Sequence, residues 1–262
     1  MPRANRHFLP GFIWHITHRC HDRIFLLKHR IVRKHWIMEL GKAKRRFNLR
    51  ILNYIATSNH VHLLIYDPKG DAIPPALQWV AGRTAQYYNE RHEREGAFWS
   101  DCYHATAIDS DEYLWRCMLY INLNMVRAGV VRHPQDWYPC GYSELLSPKK
   151  RYGLLAYSDL LNLLKMDSLA ELQQLMSQQI TEVLKSGENQ RMSHWTESVA
   201  VGHQSFLENI KSQLGYRSRG RTIRQSEDST YIREGDAPFQ LKAAADAIMG
   251  ENTFEWQNLS DA

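Results

Sequence analysis

The stretch NHVHLLI at residues 59–65 decides the fold of this chain, because two histidines alternate in it with apolar residues. Side chains of a β-strand point alternately to the two faces of a sheet, so His60 and His62 are predicted to share one face. They would stand roughly 6 to 7 Å apart along the backbone, close enough to hold one metal ion. Taken alone, such a pair on a half-exposed strand is more often a solvated face than a pair of ligands.

A second element lies downstream, where apolar residues of the segment 111–130 recur at steps of three and four. This spacing predicts an amphipathic helix with its apolar stripe against the core. Tyr120 and Asn124 lie off that stripe and about 6 Å apart along the axis, so a phenol and an amide would face the same way. The polar row of the helix consists of Tyr113, Arg116, Tyr120, Asn124 and Arg127.

The order of the remaining patterns predicts the fold class. Strand patterns occur near residues 12–19, 49–57 and 103–108, and a helix begins after Ile73 with two prolines in its first turn. A further helical pattern lies between the first two of these strands. The resulting βαββαβα order predicts an α+β fold with a ferredoxin-like antiparallel sheet and helices on one face.

Basic residues are concentrated in the helix between the first two strands. The chain has a formal net charge of +5, which suits attraction to phosphate groups. Residues 28–50 hold nine lysines and arginines against one acid, Glu39, and the apolar residues among them are spaced as on a helix. Its outer face, including Lys44 and Arg45, is therefore a candidate nucleic-acid surface. An ordinary solvated helix would explain the same pattern nearly as well.

From residue 148 onward helical patterns dominate. We predict a first domain at residues 1–147 and a helical accessory region at residues 148–262, in which Ser168 caps a helix. Arginines separated by glycine and serine follow Gly215, and this composition predicts a flexible basic arm that could follow a phosphate backbone. The candidate contacts in this arm are Arg217, Arg219 and Arg221.

Several of these motifs together resemble the HUH endonuclease superfamily, specifically the REP-associated tyrosine transposases. The resemblance runs through His60-Val61-His62, residues 79–89, Phe98-Trp99 and the run YINLNMVRAG at residues 120–129, and it covers residues 8–145. In that family two histidines bind a divalent cation, a tyrosine attacks DNA, and the polar residue four positions later completes the metal site.

The resemblance assigns roles to particular residues of this chain. It implies that Tyr120 is the nucleophile and that His60, His62 and Asn124 hold Mg²⁺ or Mn²⁺. Tyr113 is the strongest rival nucleophile. Arg19, Arg116 and Arg127 are expected to contact the DNA. Where relatives usually carry a proline, this chain has Met125, which should make the helix more regular.

The implied function is that of a metal-dependent single-strand DNA endonuclease and strand transferase. It would act on hairpin-forming palindromic repeats through a 5′-phosphotyrosine intermediate. A phenol with a pKa near 10 is a poor nucleophile, and a bound cation would polarise the phosphate that it attacks. Two alternatives stay open, namely a non-catalytic single-stranded nucleic-acid-binding module with a ferredoxin-like fold and a metal-dependent hydrolase that uses water.

Other features of the sequence bear on the compartment and the assembly. No apolar run reaches the ~18 residues of a membrane span, and no signal sequence opens the chain. The four cysteines form no Cys-x-x-Cys pair, so no zinc module or disulfide framework is expected. We expect a cytoplasmic, nucleoid-associated protein and favour a monomer over a homodimer. A role in contacting DNA or helping the tyrosine is open to four further histidines, although core or surface packing explains any one of them better: His15, His18, His21 and His104.

Overall fold

Seven strands in the described part of the chain form one sheet. The structure is a computed structural model, and it describes residues 8–100, 102–226 and 229–234. The strands are β1 (Phe12–Arg19), β2 (Arg50–Ala56), β3 (His60–Asp67), β4 (His104–Ile108), β5 (Ala200–Val201), β6 (Arg221–Gln225) and β7 (Thr230–Glu234). They lie in the order β2-β3-β1-β4-β5-β7-β6, and every neighbouring pair is antiparallel except β4 and β5.

Helices connect and cover these strands. Across the described ranges they are α1 (Arg30–Phe47), α2 (Ile73–Arg91), α3 (Glu112–Asn122), α4 (Asn124–Arg127), α5 (Gly141–Leu146), α6 (Tyr157–Leu164), α7 (Leu169–Ser186), α8 (His194–Glu197) and α9 (Gln204–Leu214). Among the described residues, none of these helices combines the length and the apolar character needed to cross a bilayer.

The first four strands confirm the predicted α+β fold class. Their antiparallel order β2-β3-β1-β4, with α1 and α2 as the connections between them, is the ferredoxin-like arrangement. In the pairing of β1 with β3, Thr17 lies directly opposite His62 and His15 lies opposite Leu64. Because side chains alternate along a strand, His15, Thr17 and His62 all point to the same face of the sheet.

Helices cover both faces of this sheet, whereas the pattern predicts them on one face only. On the face opposite the histidines, Trp99 stacks on His18 and donates to the Ala81 carbonyl of α2. On the histidine face, Asn53 of β2 donates to the Oδ1 atom of Asn122, at the end of α3, over 2.9 Å. The histidines therefore do not line an open sheet surface, and His62 is only 1% exposed.

The predicted helix at residues 111–130 is broken at Leu123, which separates α3 from α4. Residues two apart in a regular α-helix are about 200° apart around the axis. Both side chains nevertheless bond to residues of the sheet. Asn122 bonds to Asn53, and Asn124 bonds to His62. A break between them makes this pair of contacts compatible, so the expectation of a more regular helix without proline is wrong.

The accessory region is only partly helical. The side chain of Ser168 accepts from the Glu171 amide and caps α7 as predicted. Strands β5, β7 and β6, which helical patterns do not reveal, extend the sheet beyond β4. The segment predicted as a flexible arm instead forms a short 3₁₀ turn at Gly215–Ser218 followed by β6. Residues 1–7 and 235–262, at the two outer ends of the predicted domains, lie outside the described part.

A buried carboxylate ties the first part of the accessory region to the sheet, and its removal tests this connection. Glu144 accepts from the Tyr54 hydroxyl at 2.8 Å and from the amides of Leu154 and Leu155. Glu144→Ala leaves these donors without a partner, so we expect the free energy of unfolding to fall by about 2 to 4 kcal/mol. Urea denaturation measures it, with the exposed Glu182→Ala as control. Equal stability of the two variants would contradict this role.

Candidate active site

A pocket of about 310 Å³ lies where the end of β1 and the start of β3 meet the junction of α3 and α4. Four of the residues that line it are arginines, and none is acidic. Such a surface attracts phosphate groups. The lining consists of Arg19, Arg23, Asn59, His60, His62, Tyr120, Asn124, Arg127, Ala128, Arg191 and Thr196.

The four groups singled out in the sequence meet in this pocket and come from a single chain. The rings of His60 and His62 have their centroids 4.8 Å apart, and the Tyr120 ring lies 6.1 Å from the His62 ring. The side-chain nitrogen of Asn124 lies 3.0 Å from Nε2 of His62. The strand pair β1–β3 and the α3–α4 junction thus bring two imidazoles, a phenol and a carboxamide together.

The hydrogen bonds of His62 determine which of its nitrogens carries the proton. Nδ1 of His15 lies 2.8 Å from the Trp195 carbonyl, and because a carbonyl only accepts, this nitrogen donates. Nε2 of the neutral His15 then accepts from Nδ1 of His62, 2.8 Å away. Nε2 of His62 consequently keeps its lone pair and accepts from Asn124.

His60 is held in the same tautomer by a different set of groups. The Asn59 side chain donates to the Arg23 carbonyl over 3.0 Å, which leaves its oxygen facing Nδ1 of His60 at 2.8 Å. The Nδ1–H group of His60 therefore donates to Asn59, and its Nε2 retains a lone pair. Both histidines thus present an unprotonated Nε2, as a metal ligand requires.

Burial keeps both imidazoles uncharged at neutral pH. It lowers the pKa of His60 to about 4, with a smaller contribution from the charges of Arg19 and Arg127. It also lowers the pKa of His62 well below its usual value. Two neutral imidazoles fit a divalent cation, and the Asn124 amide, whose nitrogen faces His62, would have to turn its carbonyl oxygen toward the ion to complete the ligand set. A mixed nitrogen and oxygen set suits Mn²⁺ better than Mg²⁺. Among the described residues, no cluster of three or more His, Cys, Asp or Glu side chains is placed to hold a metal ion, so the candidate site depends on Asn124 for its third ligand.

Tyr120 is buried beneath charged and aromatic neighbours, with 7% of its surface exposed. The Arg127 guanidinium lies 4.1 Å from the centre of its ring, and the Trp195 ring lies 6.3 Å away. Burial raises the pKa of Tyr120 above its usual value, whereas the charge of Arg127 acts in the opposite direction. The phenol is therefore protonated at neutral pH, and a positive group beside its oxygen would favour its ionisation.

The predicted DNA contacts fall into separate places. Arg19 and Arg127 line the pocket, whereas Arg116 lies outside it and pairs with Glu112 at 3.3 Å. Lys44 donates to the Gly153 carbonyl, so its charge is used within the fold. Arg45 lines a second cavity along α1. The last three candidates do not line the pocket and lie near or on the edge strand β6: Arg217, Arg219 and Arg221.

The rival nucleophile Tyr113 does not line the pocket, and its ring packs against His203 at 4.9 Å. Other pocket groups escaped the sequence analysis. Arg23 lies in an irregular turn, and Arg191 lies in a polar loop without any periodic pattern. His15 alternates correctly on β1, but nothing in its local sequence indicates that Trp195, 180 residues away, supplies its hydrogen-bond partner.

The buried histidines predict that this protein loses stability as the pH falls from 7 to 5. Burial lowers the pKa of His15 and of His60 to about 4, below the value of about 6.5 in the unfolded chain. The unfolded state therefore binds more protons below pH 6.5, so each of these histidines should remove about 1 to 2 kcal/mol of stability.

Urea denaturation of metal-free protein at pH 7 and pH 5 measures this loss. His15→Gln has one buried imidazole fewer and should lose less stability over the same interval. A free energy of unfolding that does not change between the two pH values would show that the histidines are not buried in neutral form.

Comparisons with known proteins find a sequence match in the first part of the chain. Residues 10–124 match the sequence model of the family described as IS200-like transposases. No curated protein sequence matches the chain. A REP-associated tyrosine transposase bound to a REP hairpin aligns in structure over 56% of this chain and 87% of its own, with 19% identity and a TM-score of 0.48. A candidate transposase from Deinococcus radiodurans R1 aligns over 39% of this chain and 82% of its own, with 16% identity and a TM-score of 0.33.

Both TM-scores lie below 0.5, whereas the sequence match covers strands β1 to β4, the histidine pair and Tyr120 to Asn124. The segment from residue 10 to residue 124 is thus similar to the IS200-like transposases, and it supplies His60, His62, Tyr120 and Asn124 to the pocket.

Proposed function

We propose that this protein is a metal-dependent single-strand DNA endonuclease and strand transferase. The observation that carries the proposal is the composition of the pocket, where a tyrosine, two neutral imidazoles and four arginines face one cavity without an acidic residue. The positive charge of the arginines would attract the phosphate groups of the substrate to this cavity. The same cavity holds Tyr120, whose phenol can form a covalent phosphodiester with it.

The proposed reaction exchanges one phosphate ester for another. The Tyr120 oxygen attacks the scissile phosphorus and its proton passes to solvent. The bond to the 3′ oxygen breaks, and this oxygen takes up a proton from solvent. The products are a 5′-phosphotyrosine and a free 3′-hydroxyl. Attack of a 3′-hydroxyl on the phosphotyrosine then restores the phenol and joins the strand. Because the ester bond is conserved, rejoining requires no nucleotide cofactor.

Particular side chains would assist this step. Arg127 lies over the Tyr120 ring and would stabilise the phenolate as the proton leaves. Arg19, Arg23 and Arg191 would neutralise the phosphate oxygens. A divalent cation, Mg²⁺ or Mn²⁺, on His60, His62 and Asn124 would supply Lewis-acid polarisation of the scissile phosphate.

The DNA on one side of the scissile phosphate would continue along α1. A groove of about 540 Å³ lies there, and all its charged lining residues are basic. Arg45 lies 5.8 Å from the ring centre of Tyr152, which is 80% exposed and available to stack on an unpaired base. The N-terminal side of α1 approaches the pocket, because the Leu27 amide donates to the Ser58 carbonyl beside the pocket residue Asn59.

Hairpin-forming palindromic repeats are proposed as the substrate on the resemblance of residues 8–145 to the REP-associated branch. A monomer is proposed because Tyr120 and the two histidines of the same chain share one pocket, and because β5 of the same chain pairs with the β4 edge. The site of action would be the nucleoid, where such DNA is found.

Tyr120→Phe tests the covalent step. The variant lacks the attacking oxygen, so formation of a protein–DNA adduct should fall by at least about a thousandfold. The measurement is a denaturing gel of protein incubated with labelled hairpin DNA and Mn²⁺. Tyr113→Phe is the matched control and should form the adduct normally.

Other outcomes of this experiment separate the alternatives. An undiminished adduct in Tyr120→Phe would refute the assigned nucleophile. Cleavage that persists without any adduct would indicate a hydrolase that uses water. Binding without cleavage, unaffected by a chelator, would indicate a non-catalytic nucleic-acid-binding module.

If the groove on α1 holds single-stranded DNA, substitutions in it should weaken binding only of hairpins that carry a long single-stranded flank. Arg45→Glu and Tyr152→Ala should each weaken binding of a hairpin with a long single-stranded flank by about 5- to 20-fold at low salt. The same hairpin without a flank should bind as before. Fluorescence anisotropy measures both, and the exposed Lys185→Glu on α7 is the control. Equal losses with both DNAs would argue against a flank in this groove.

A further inference from the structure

His15 is the buried group that most directly contacts the proposed metal site without belonging to it. It is fully buried, and its ring lies nearly parallel to that of His62, with the ring centroids 5.0 Å apart. Its two nitrogens bridge from the accessory region to His62, at 2.8 Å on each side. A packing role alone would not require a residue with both a donor and an acceptor at this position.

We propose that His15 is a positioning residue, which keeps His62 in the tautomer whose Nε2 can bind the cation, and that the Trp195 carbonyl orients His15 for this task. This inference rests on the proposed function for the identity of the ligand. It does not require catalysis, because the tautomer of His62 exists in the protein without any metal or DNA.

The other polar neighbour of Nδ1 of His62 cannot make the same choice. Thr17 places its hydroxyl 3.3 Å from Nδ1 of His62, and a hydroxyl can either donate or accept. With Thr17 alone, His62 could carry its proton on Nε2 and lose the lone pair that faces Asn124. His15 can only accept at its Nε2, because its own proton is engaged at Nδ1 by the Trp195 carbonyl.

The backbone that supplies this carbonyl is firmly attached to the sheet. Trp195 is 1% exposed, and the segment after it runs beside β4. The Thr106 hydroxyl donates to the Ser198 carbonyl at 2.8 Å, and the Ala107 amide donates to the Val199 carbonyl at 2.9 Å. Trp195 thus sets the tautomer of His62 through His15. It lies about 70 positions beyond Asn124, the last proposed metal ligand.

Substitutions of His15 separate positioning from packing. His15→Leu fills the space without an acceptor, and His15→Gln places a carbonyl oxygen where Nε2 of histidine lies. Nitrogen NMR of the His62 ring in metal-free protein should show Nδ1–H in the wild type and in His15→Gln, and a mixture of tautomers in His15→Leu. Thr17→Val is the control and should leave the tautomer unchanged.

Mn²⁺ affinity, measured by titration of the same proteins, provides the second readout. Loss of the group that orients a metal-bound histidine typically weakens binding by about 10- to 100-fold, and we expect this for His15→Leu. His15→Gln should stay within about threefold of the wild type. If His15→Leu does not fold, His15→Asn replaces it, because its shorter amide can reach the Trp195 carbonyl but not His62.

The two readouts distinguish failure of this inference from failure of the proposed function. An unchanged His62 tautomer and unchanged Mn²⁺ affinity in His15→Leu or His15→Asn would overturn the role of His15. A wild-type protein that binds no Mn²⁺ would refute the metal site, whereas the NMR spectra of metal-free protein would still decide whether His15 selects the tautomer.

Discussion

The chain of hydrogen bonds from the Trp195 carbonyl through His15 and His62 to Asn124 is the interaction on which the arrangement of the site depends. It runs over one face of the sheet from the accessory region to the α3–α4 junction. In each of its bonds, donor and acceptor are defined. The pairing of β1 with β3 makes it possible, because it places His15 and His62 on one face and within reach of each other. A slip of one residue in this pairing would turn one of them to the opposite face.

Burial and charge act together in the pocket. Four arginines around one cavity would repel protonated histidines, and the buried imidazoles avoid this repulsion by remaining neutral. Neutral imidazoles are also what a divalent cation needs as ligands. The pocket thus keeps its positive charge for an incoming phosphate. Tyr120 lies under Arg127 at the edge of this charge, where ionisation of its phenol is favoured by contact and opposed by burial.

The accessory region is a structural part of the site. Arg191 and Thr196 line the pocket, Asn189 accepts from Arg127 at 2.9 Å, and Trp195 holds His15. Strand β5 of this region occupies the edge of β4, which in an isolated four-stranded sheet would have unpaired backbone groups. The predicted boundary at residue 147 therefore separates two kinds of sequence pattern, but the pocket contains residues from both sides of it.

The sequence by itself determined the features that depend on local periodicity. The alternation in β1 and β3, the helical spacing of α1 and α3 and the prolines that open α2 are all visible in it, and so are His60, His62, Tyr120 and Asn124. Only the tertiary structure decided what depends on contacts distant along the chain. Those contacts include the cover of α3 on the histidine face, the strands added beyond β4, the places of Arg23 and Arg191, and the bond from His15 to Trp195. The reason is physical. The alternation of side chains along a strand or helix follows from the local backbone, whereas the partner of a side chain is set by strand pairing and packing between residues as many as 180 positions apart.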